Sequence, residues 1–215
     1  MSKREELLSS IADIIKDYRA GEIPKPTPQH VERWVCQFSD SAQLSLLAEM
    51  EHLLKITYFT KKTIGEFFGN QIKHKKIAGE NYISYWKSAN LLDIQEHGHS
   101  QSEILELFDK SLEEQCGYGV EDCGSKSGEF IYVDDVLFSG GRIGTDLKTW
   151  INDEAPKEAK VHILVIGAHR LGEWQCVEGL KKAAKEAGKD IAFESWAAIR
   201  FENRKYYKKG LQQNL

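Results

Sequence analysis

The sequence is poor in cysteine and has no long apolar run, and both features narrow the class of protein it can encode. Because no pair of cysteines has CxxC spacing, a paired-cysteine zinc site is excluded and reduced thiols are expected. No apolar segment reaches the ~20 residues that cross a bilayer, and the N-terminus has no signal-peptide core. We therefore expect a cytoplasmic protein without a membrane partner. The chain has 215 residues and four cysteines, Cys36, Cys116, Cys123 and Cys176.

Proline is also scarce, and three of the four prolines, Pro24, Pro26 and Pro28, lie together. They predict a stiff connector between two segments of helical spacing. Residues 1–80 are therefore predicted to form a small helical module, resembling a helix-turn-helix or winged helix, and residues 81–215 a second domain. The first segment places these apolar residues at helical intervals: Leu7, Leu8, Ile11, Ile14, Ile15 and Tyr18.

Charge is distributed unevenly along the chain. The net charge of −4 argues against nucleic-acid binding by the whole surface, but the end of the helical module is strongly basic. The basic segment contains five lysines that contact DNA or RNA in one interpretation. In the other interpretation they are solvated or lie near a phosphorylated ligand. They are Lys61, Lys62, Lys73, Lys75 and Lys76.

The most informative segment is Phe130–Arg142. Its first four residues are apolar or aromatic β-formers, which predict a buried parallel strand, and the pair Asp134 and Asp135 follows directly. The turn Ser139–Gly141 then lets the backbone amides converge before a helix begins. A strand, a glycine loop and a helix N-terminus together predict an anion site at the carboxyl edge of a sheet.

This pattern resembles the phosphoribosyl-pyrophosphate (PRPP) loop of the type I phosphoribosyltransferases. The resemblance implies that Asp134 and Asp135 receive the ribose hydroxyls, directly or through Mg²⁺, as catalytic and metal-binding residues. It implies that the amides of Ser139, Gly140, Gly141 and Arg142 hold a 5′-phosphate. Arg142 stands where the family usually has threonine. Arginine binds phosphate well, but its bulk can also block turnover.

A second segment with the order strand, glycine loop and helix lies before Phe130–Arg142 in the chain. Ala89–Gln95 predicts a buried strand, and a polar turn leads into a helix that begins after Ser102. By the same resemblance this earlier loop holds pyrophosphate, through Gln95, Gly98, Ser100 and Gln101. The loop also carries His97 and His99, either as metal or pyrophosphate contacts or as plain exposed histidines.

Two more strands complete the prediction, around Lys160–Ala168 and Ile191–Trp196. Alternation of four strands with helices predicts a reduced parallel α/β core of the phosphoribosyltransferase type, preceded by the helical module. Trp196 is either a core residue or, as the family implies, an aromatic ring stacked on a base. His169 and Arg170 are expected at the site edge, where they can contact phosphate or base.

A narrower resemblance covers most of the chain. Arg19–Ile23, Pro26–Val35, Leu92–Gln95 and the Asp134 loop look like the phosphoribosyltransferase-like domain of bacterial conflict systems (PRTase-CE). This implies an effector of an antiphage cassette of the retron type, with a partner such as a reverse transcriptase and possible dimerisation. Two functions stay open: transfer or hydrolysis at ribose C1, or non-catalytic sensing of PRPP or a nucleotide by a nucleic-acid-binding regulator.

Overall fold

The computed structural model describes residues 2–95 and 100–202, with the side chain of Ser100 excepted. No helix in these ranges is long and apolar enough to span a membrane. The elements in chain order are α1 (Lys3–Ile14), α2 (Pro28–Val35), α3 (Asp40–Thr57), α4 (Lys61–Ile72), α5 (Lys75–Ala78), α6 (Tyr82–Ser88), β1 (Asn90–Leu92), α7 (Ser100–Cys116), a 3₁₀ turn (Val120–Asp122), β2 (Phe130–Leu137), α8 (Gly141–Asp153), β3 (Glu158–His169), α9 (Arg170–Glu186) and β4 (Asp190–Phe201).

The chain divides into two compact units, Met1–Ile64 and a second that begins at Gly65, so the boundary falls within α4. The sequence-based boundary at residue 80 lies two residues after α5. The first unit is helical, as predicted, and its strand-type pairing among the described residues is a single bridge between Ala20 and Ile23. Apolar side chains of α1 to α3 form its core: Leu7, Leu8, Ile11, Ala12, Val31, Val35 and Leu47.

Local sequence signals explain where the first two helices begin. Ser2 accepts a hydrogen bond from the Glu5 amide, and the Glu5 carboxylate accepts one from the Ser2 amide, which forms a capping box before α1. Before α2, the Thr27 amide donates to Nδ1 of His30 over 3.0 Å, and Pro28 occupies the first helical position. The proline connector therefore ends where α2 starts.

The second unit contains a four-stranded sheet in the order β1-β2-β3-β4, with every pair parallel. Tyr132 lies opposite Ile163, and Leu164 lies opposite Trp196. The predicted reduced, parallel α/β core is confirmed. β1 is shorter than its apolar run suggested, because Asp93–Gln95 leaves the ladder and bonds to a side chain of α7 instead.

Both faces of the sheet are buried along the middle of β2 and β3, which explains the continuous apolar runs of these two strands, whereas β4 alternates between buried and exposed positions. One face carries Tyr132, Ile163 and Val165, which pack against Leu147 of α8 and Leu180 of α9. Side chains alternate along a strand, so the neighbouring residues point to the opposite face. The fully buried residues of that face include Ile131, Val133, His162 and Leu164.

Candidate functional site

The acidic pair lies at the carboxyl end of β2, as predicted, but its two members have different surroundings. Asp134 is only 2% exposed, whereas Asp135 is exposed to solvent. The Asp134 Oδ1 atom accepts a hydrogen bond from the Asp135 amide over 2.9 Å. Asp135 Oδ1 in turn accepts one from the Val136 amide over 2.6 Å. Asp135 is therefore the member that is accessible from solvent, and Asp134 fixes the backbone that carries it.

Tyr132 connects the acidic pair to α8. Its hydroxyl donates to Oδ2 of Asp146 over 2.9 Å and lies 3.5 Å from Oδ2 of Asp134. Burial, followed by the negative charges of Asp134 and Asp146, raises the pKa of Tyr132 far above its usual range. The phenol consequently stays protonated and serves as a permanent donor beneath the carboxyl edge.

Gly140 caps α8 and requires glycine for two reasons. Its φ of +72° lies in the left-handed region, and a Cβ atom added there would lie 2.5 Å from Cβ of Cys176 on α9. The next amide, of Gly141, donates to Oγ of Ser139 over 3.3 Å. The first turn of α8, including exposed Arg142, therefore directs its amides and the positive end of the helix dipole toward the edge.

The start of α9 lies against the same loop. A Cβ atom added at Gly172 would overlap the carbonyl oxygen of Phe138, so backbone packs directly on backbone there. Together with the contact between Gly140 and Cys176, this close approach joins the glycine loop to the first two turns of α9. The loop is thus supported from the α9 side.

Gln101, at the start of α7, holds the neighbouring loop in place. Its side chain is fully buried, and its Oε1 atom accepts from the amides of Ile94 and Gln95 over 3.0 and 2.8 Å. Its Nε2 atom donates to the carbonyls of Leu92 and Val133 over 3.1 and 3.3 Å. Because Val133 directly precedes the acidic pair, Gln101 positions both β1 and β2 at the site edge.

The remaining residues of the predicted pyrophosphate loop are only partly described. Oε1 of Gln95 accepts from the Gln101 amide over 3.2 Å. Ser100 begins α7, and its side chain lies outside the described part of the structure. Gly98, His97 and His99 lie outside the described residues. Pyrophosphate binding by this loop stays a prediction.

Trp196 points away from Asp134. It pairs with Leu164, whereas Asp134 pairs with Val165, so the two side chains point to opposite faces of the sheet. Its Nε1–H group donates to Nδ1 of buried His162 over 2.9 Å. Stacking of Trp196 on a bound base stays a prediction.

His162 connects that tryptophan to a half-buried carboxylate. Its Nε2 atom lies 2.8 Å from Oε2 of Glu129, which also accepts from the hydroxyl of Tyr85 over 2.8 Å. Burial lowers the pKa of His162 despite the opposing effect of Glu129. Since Nδ1 accepts from Trp196, the ring is neutral and carries its proton on Nε2.

The five lysines proposed for nucleic-acid contact are all exposed. Lys61 and Lys62 fall in the first compact unit, and the other three belong to the second. Lys75 forms a 2.9 Å ion pair with Glu80. Nucleic-acid binding by this group stays a prediction.

Sequence reasoning missed one aromatic residue at the carboxyl edge. Trp174 on α9 is 62% exposed and lines a cavity of about 690 Å³ with His169 and Arg170, both of which the sequence placed at the edge. The signal was available: the buried positions Cys176, Leu180 and Ala184 recur every four residues and exclude Trp174 from the inner face of α9.

A parallel sheet with an acidic pair and a glycine-capped helix at its carboxyl edge is the arrangement expected of a phosphoribosyltransferase-like domain. The family model PRTase-CE matches residues 31–210. The chain therefore belongs to the PRTase-CE family. No curated protein matches the chain, and no solved structure does.

Proposed function

We propose that the carboxyl edge of this sheet binds PRPP or a nucleotide, with the 5′-phosphate at the N-terminus of α8. The observation that carries the proposal is the geometry of one segment. Four residues at the end of β2 separate the exposed carboxylate of Asp135 from Gly140, which caps the start of α8. Phosphate binds well at such a helix start, and ribose hydroxyls donate to a carboxylate.

Each residue of the segment has a distinct role in this proposal. Asp135 accepts hydrogen bonds from the ribose hydroxyls, while Asp134, buried beneath it, orients the Asp135 amide. Ser139, Gly140 and Gly141 present amides to the phosphate. The guanidinium of Arg142 adds a charged donor on the first turn of α8.

The pair also fits Mg²⁺, which is commonly held by one or two carboxylates together with substrate phosphates. No group of three or more potential ligand side chains is arranged for a metal within residues 2–95 and 100–202. The exposed carboxylate of Asp135, backed by Asp134, would hold the ion, and the ion would offset phosphate charge.

The chemistry that this arrangement supports is transfer or hydrolysis at ribose C1. The bond from C1 to pyrophosphate or to a base breaks, the leaving group keeps the electron pair, and an acceptor or water forms the new bond. This reaction needs positioning and charge stabilisation more than a strong base. The carboxylate beside the ribose and the amides at the phosphate provide both.

The proposal extends to a biological role. The similarity of Arg19–Ile23, Pro26–Val35 and the acidic loop to conflict-system domains supports an effector in an antiphage system of the retron type. A partner such as a reverse transcriptase would act with it. In the alternative, a nucleic-acid-binding regulator senses PRPP or a nucleotide without turnover, and bulky Arg142 at the loop favours that outcome.

Isothermal titration with PRPP and Mg²⁺ tests the binding proposal. We expect micromolar affinity in the native chain and at least a tenfold loss in Asp135→Asn, since a ribose contact becomes weaker. Glu186→Gln removes the same charge from the end of α9 and should bind normally. Equal affinity in Asp135→Asn and the native chain would contradict the assignment. Analysis of products after incubation with nucleobases then separates transfer or hydrolysis from sensing.

A further inference from the structure

An apolar cavity of about 490 Å³ lies within the first compact unit, Met1–Ile64. Its walls come from the end of α1, the proline connector, α2 and α3. Small-molecule sites in proteins typically have volumes of roughly 300–1,000 Å³ and mainly apolar linings. Part of the lining precedes residue 31, where the match to the PRTase-CE family begins. The aliphatic side chains of the lining are Ile11, Ile15, Ile23, Val31, Met50 and Leu54.

The connector wall of this cavity is fixed by its own contacts. The Arg19 carbonyl accepts hydrogen bonds from the amides of Glu22 and Ile23 over 3.0 and 3.2 Å. The Arg19 guanidinium donates to Oε2 of Glu22 over 2.6 Å from Nη2 and 2.8 Å from Nε. Arg19 has a φ of +48°, which a non-glycine residue adopts rarely, and the ring of Pro24 locks the next backbone angle after Ile23. The wall that carries Ile23 is therefore preformed.

The rest of the lining is aromatic and carries no ionised side chain. The rings are those of Tyr18, Trp34 and Tyr58. The Tyr58 hydroxyl donates to Oδ1 of Asp17 over 2.9 Å, and burial, followed by this hydrogen bond, raises the pKa of Tyr58 to about 12. Among residues 2–95 and 100–202, no aspartate, glutamate, lysine or arginine lines the cavity. An ionised ligand would lose its hydration there without gaining an ion pair, so the cavity suits an uncharged apolar molecule.

His30 provides a polar contact at this cavity. Its Nδ1 atom accepts from the Thr27 amide over 3.0 Å and lies 3.0 Å from Oγ1 of Thr27. A nitrogen that accepts from an amide is unprotonated, so the ring carries its proton on Nε2, which can only donate. The ring contacts in the described part of the chain go through Nδ1, which leaves the Nε2–H group for a ligand. Because His30 is exposed, this donor lies at the opening of the cavity.

We propose that this cavity binds an uncharged small molecule with an apolar body and a carbonyl-type oxygen, which accepts a hydrogen bond from Nε2 of His30. The body packs against the aliphatic wall and the rings of Trp34 and Tyr58, where burial of apolar surface provides the affinity. The oxygen matches a donor that the helix N-terminus holds in one tautomer. This site does not depend on the proposed function, because no residue of the acidic loop takes part.

Two uncharged fluorescent probes test the hydrogen bond. Prodan is a dimethylaminonaphthalene with a propionyl group, and in its propyl analogue a methylene replaces the carbonyl. We expect both probes to bind the native chain saturably, with blue-shifted emission. His30→Glu keeps an acceptor for the Thr27 amide and removes the donor. It should weaken Prodan relative to the propyl analogue by about 2–10-fold, the effect of one neutral hydrogen bond.

A matched pair of variants on α3 tests the cavity itself. Leu54 lines the cavity, whereas Leu53 lies outside the lining and is 44% exposed. Leu54→Trp adds bulk to the cavity and should weaken both probes at least tenfold, while Leu53→Trp should bind them as the native chain does. Thermal unfolding of each variant checks folding. Ile23→Ala removes apolar wall at an exposed position and provides a second variant that should weaken both probes.

Each outcome decides a separate part of the proposal. Absence of saturable binding by the native chain, or native affinity in both Leu54→Trp and Ile23→Ala, would overturn the cavity assignment. An unchanged ratio of the two affinities in His30→Glu would overturn the role of His30. A native dimer in analytical ultracentrifugation that excludes the probes and dissociates in Leu54→Trp would assign the cavity to a second copy of the chain and overturn the small-molecule proposal.

Discussion

The α-carbon of Gly172 faces the carbonyl oxygen of Phe138 so closely that a side chain at position 172 would overlap it. This contact joins the start of α9 to the loop that follows the acidic pair. Gly140, on the same loop, makes a second close approach to Cys176 one turn further along α9. The loop geometry therefore depends on α9 as much as on its own glycines.

Replacing Gly172 with alanine tests this dependence. We expect Gly172→Ala to reduce the free energy of unfolding by about 1–3 kcal/mol, because backbone must shift to admit the methyl group. The same shift moves Phe138 and Ser139, so affinity for PRPP should fall as well. Urea denaturation and calorimetric titration measure the two effects.

Gly179 on the same helix provides the matched control. A Cβ atom there would come no closer than 3.9 Å to Lys148, so the substitution is sterically free. Gly179→Ala should stabilise the protein by roughly 0.5–1 kcal/mol, the usual advantage of alanine within a helix. A similar gain in stability in Gly172→Ala would contradict the close contact between Gly172 and Phe138.

The buried amide of Gln101 provides a second prediction. Gln101→Leu leaves two amides and two carbonyls at the ends of β1 and β2 without their partner. We expect a loss of about 3 kcal/mol or more in the free energy of unfolding, since each orphaned buried group costs about 1–3 kcal/mol. Gln175→Leu, at an exposed position of α9, should change stability little. Native-like stability of Gln101→Leu would contradict a positioning role.

The sheet was predictable because its signals are local. The apolar run before Asp134 and the glycines after Ser139 specify a buried strand and a turn on their own. The sequence named Gln101 as a ligand-binding residue, and its contacts with the backbone were not evident, because its hydrogen bonds reach Val133, 32 residues away. A sequence does not reveal which backbone groups a strand leaves unpaired.

The two tryptophans illustrate the same limit. The sequence predicts that a strand ends at Trp196 and that Trp174 lies in a helix, so Trp196 was the tryptophan named as a candidate at the edge, whereas β4 continues to Phe201. Its direction depends on register with β3, where it lies opposite Leu164 and bonds to His162. Register between strands more than 30 residues apart is a property of tertiary packing, and only the structure specifies it.

The basic residues give a third prediction, which addresses the nucleic-acid alternative. If Lys61 and Lys62 contact phosphates, replacing both with alanine should reduce the slope of log K against log salt. The reduction should be about 0.7–0.9 per lost contact. Lys75→Ala/Lys76→Ala tests the second unit separately, and Lys181→Ala/Lys182→Ala on α9 is the charge-matched control. Equal slopes in all three double variants, measured with DNA and with an RNA–DNA hybrid, would refute nucleic-acid binding by these lysines.

The buried imidazole of His162 gives a prediction about acid stability. Burial lowers its pKa in the folded protein, whereas the unfolded chain keeps a value near 6.5. Below about pH 6.5 the unfolded state binds a proton that the folded state does not, so the free energy of unfolding decreases as the pH falls. The decrease reaches at most about 1.4 kcal/mol per pH unit and stops below the folded pKa.

His162→Gln isolates this effect, because an amide can accept from Trp196 and donate to Glu129 but does not titrate in this range. We expect the variant to lose less stability than the native chain between about pH 7.5 and about pH 5.5, measured by urea denaturation at each pH. His52→Gln, an exposed histidine of α3, is the control and should show the native pH dependence. A native-like pH dependence in His162→Gln would mean that the imidazole gains its proton in the folded state, as a charged partner of Glu129.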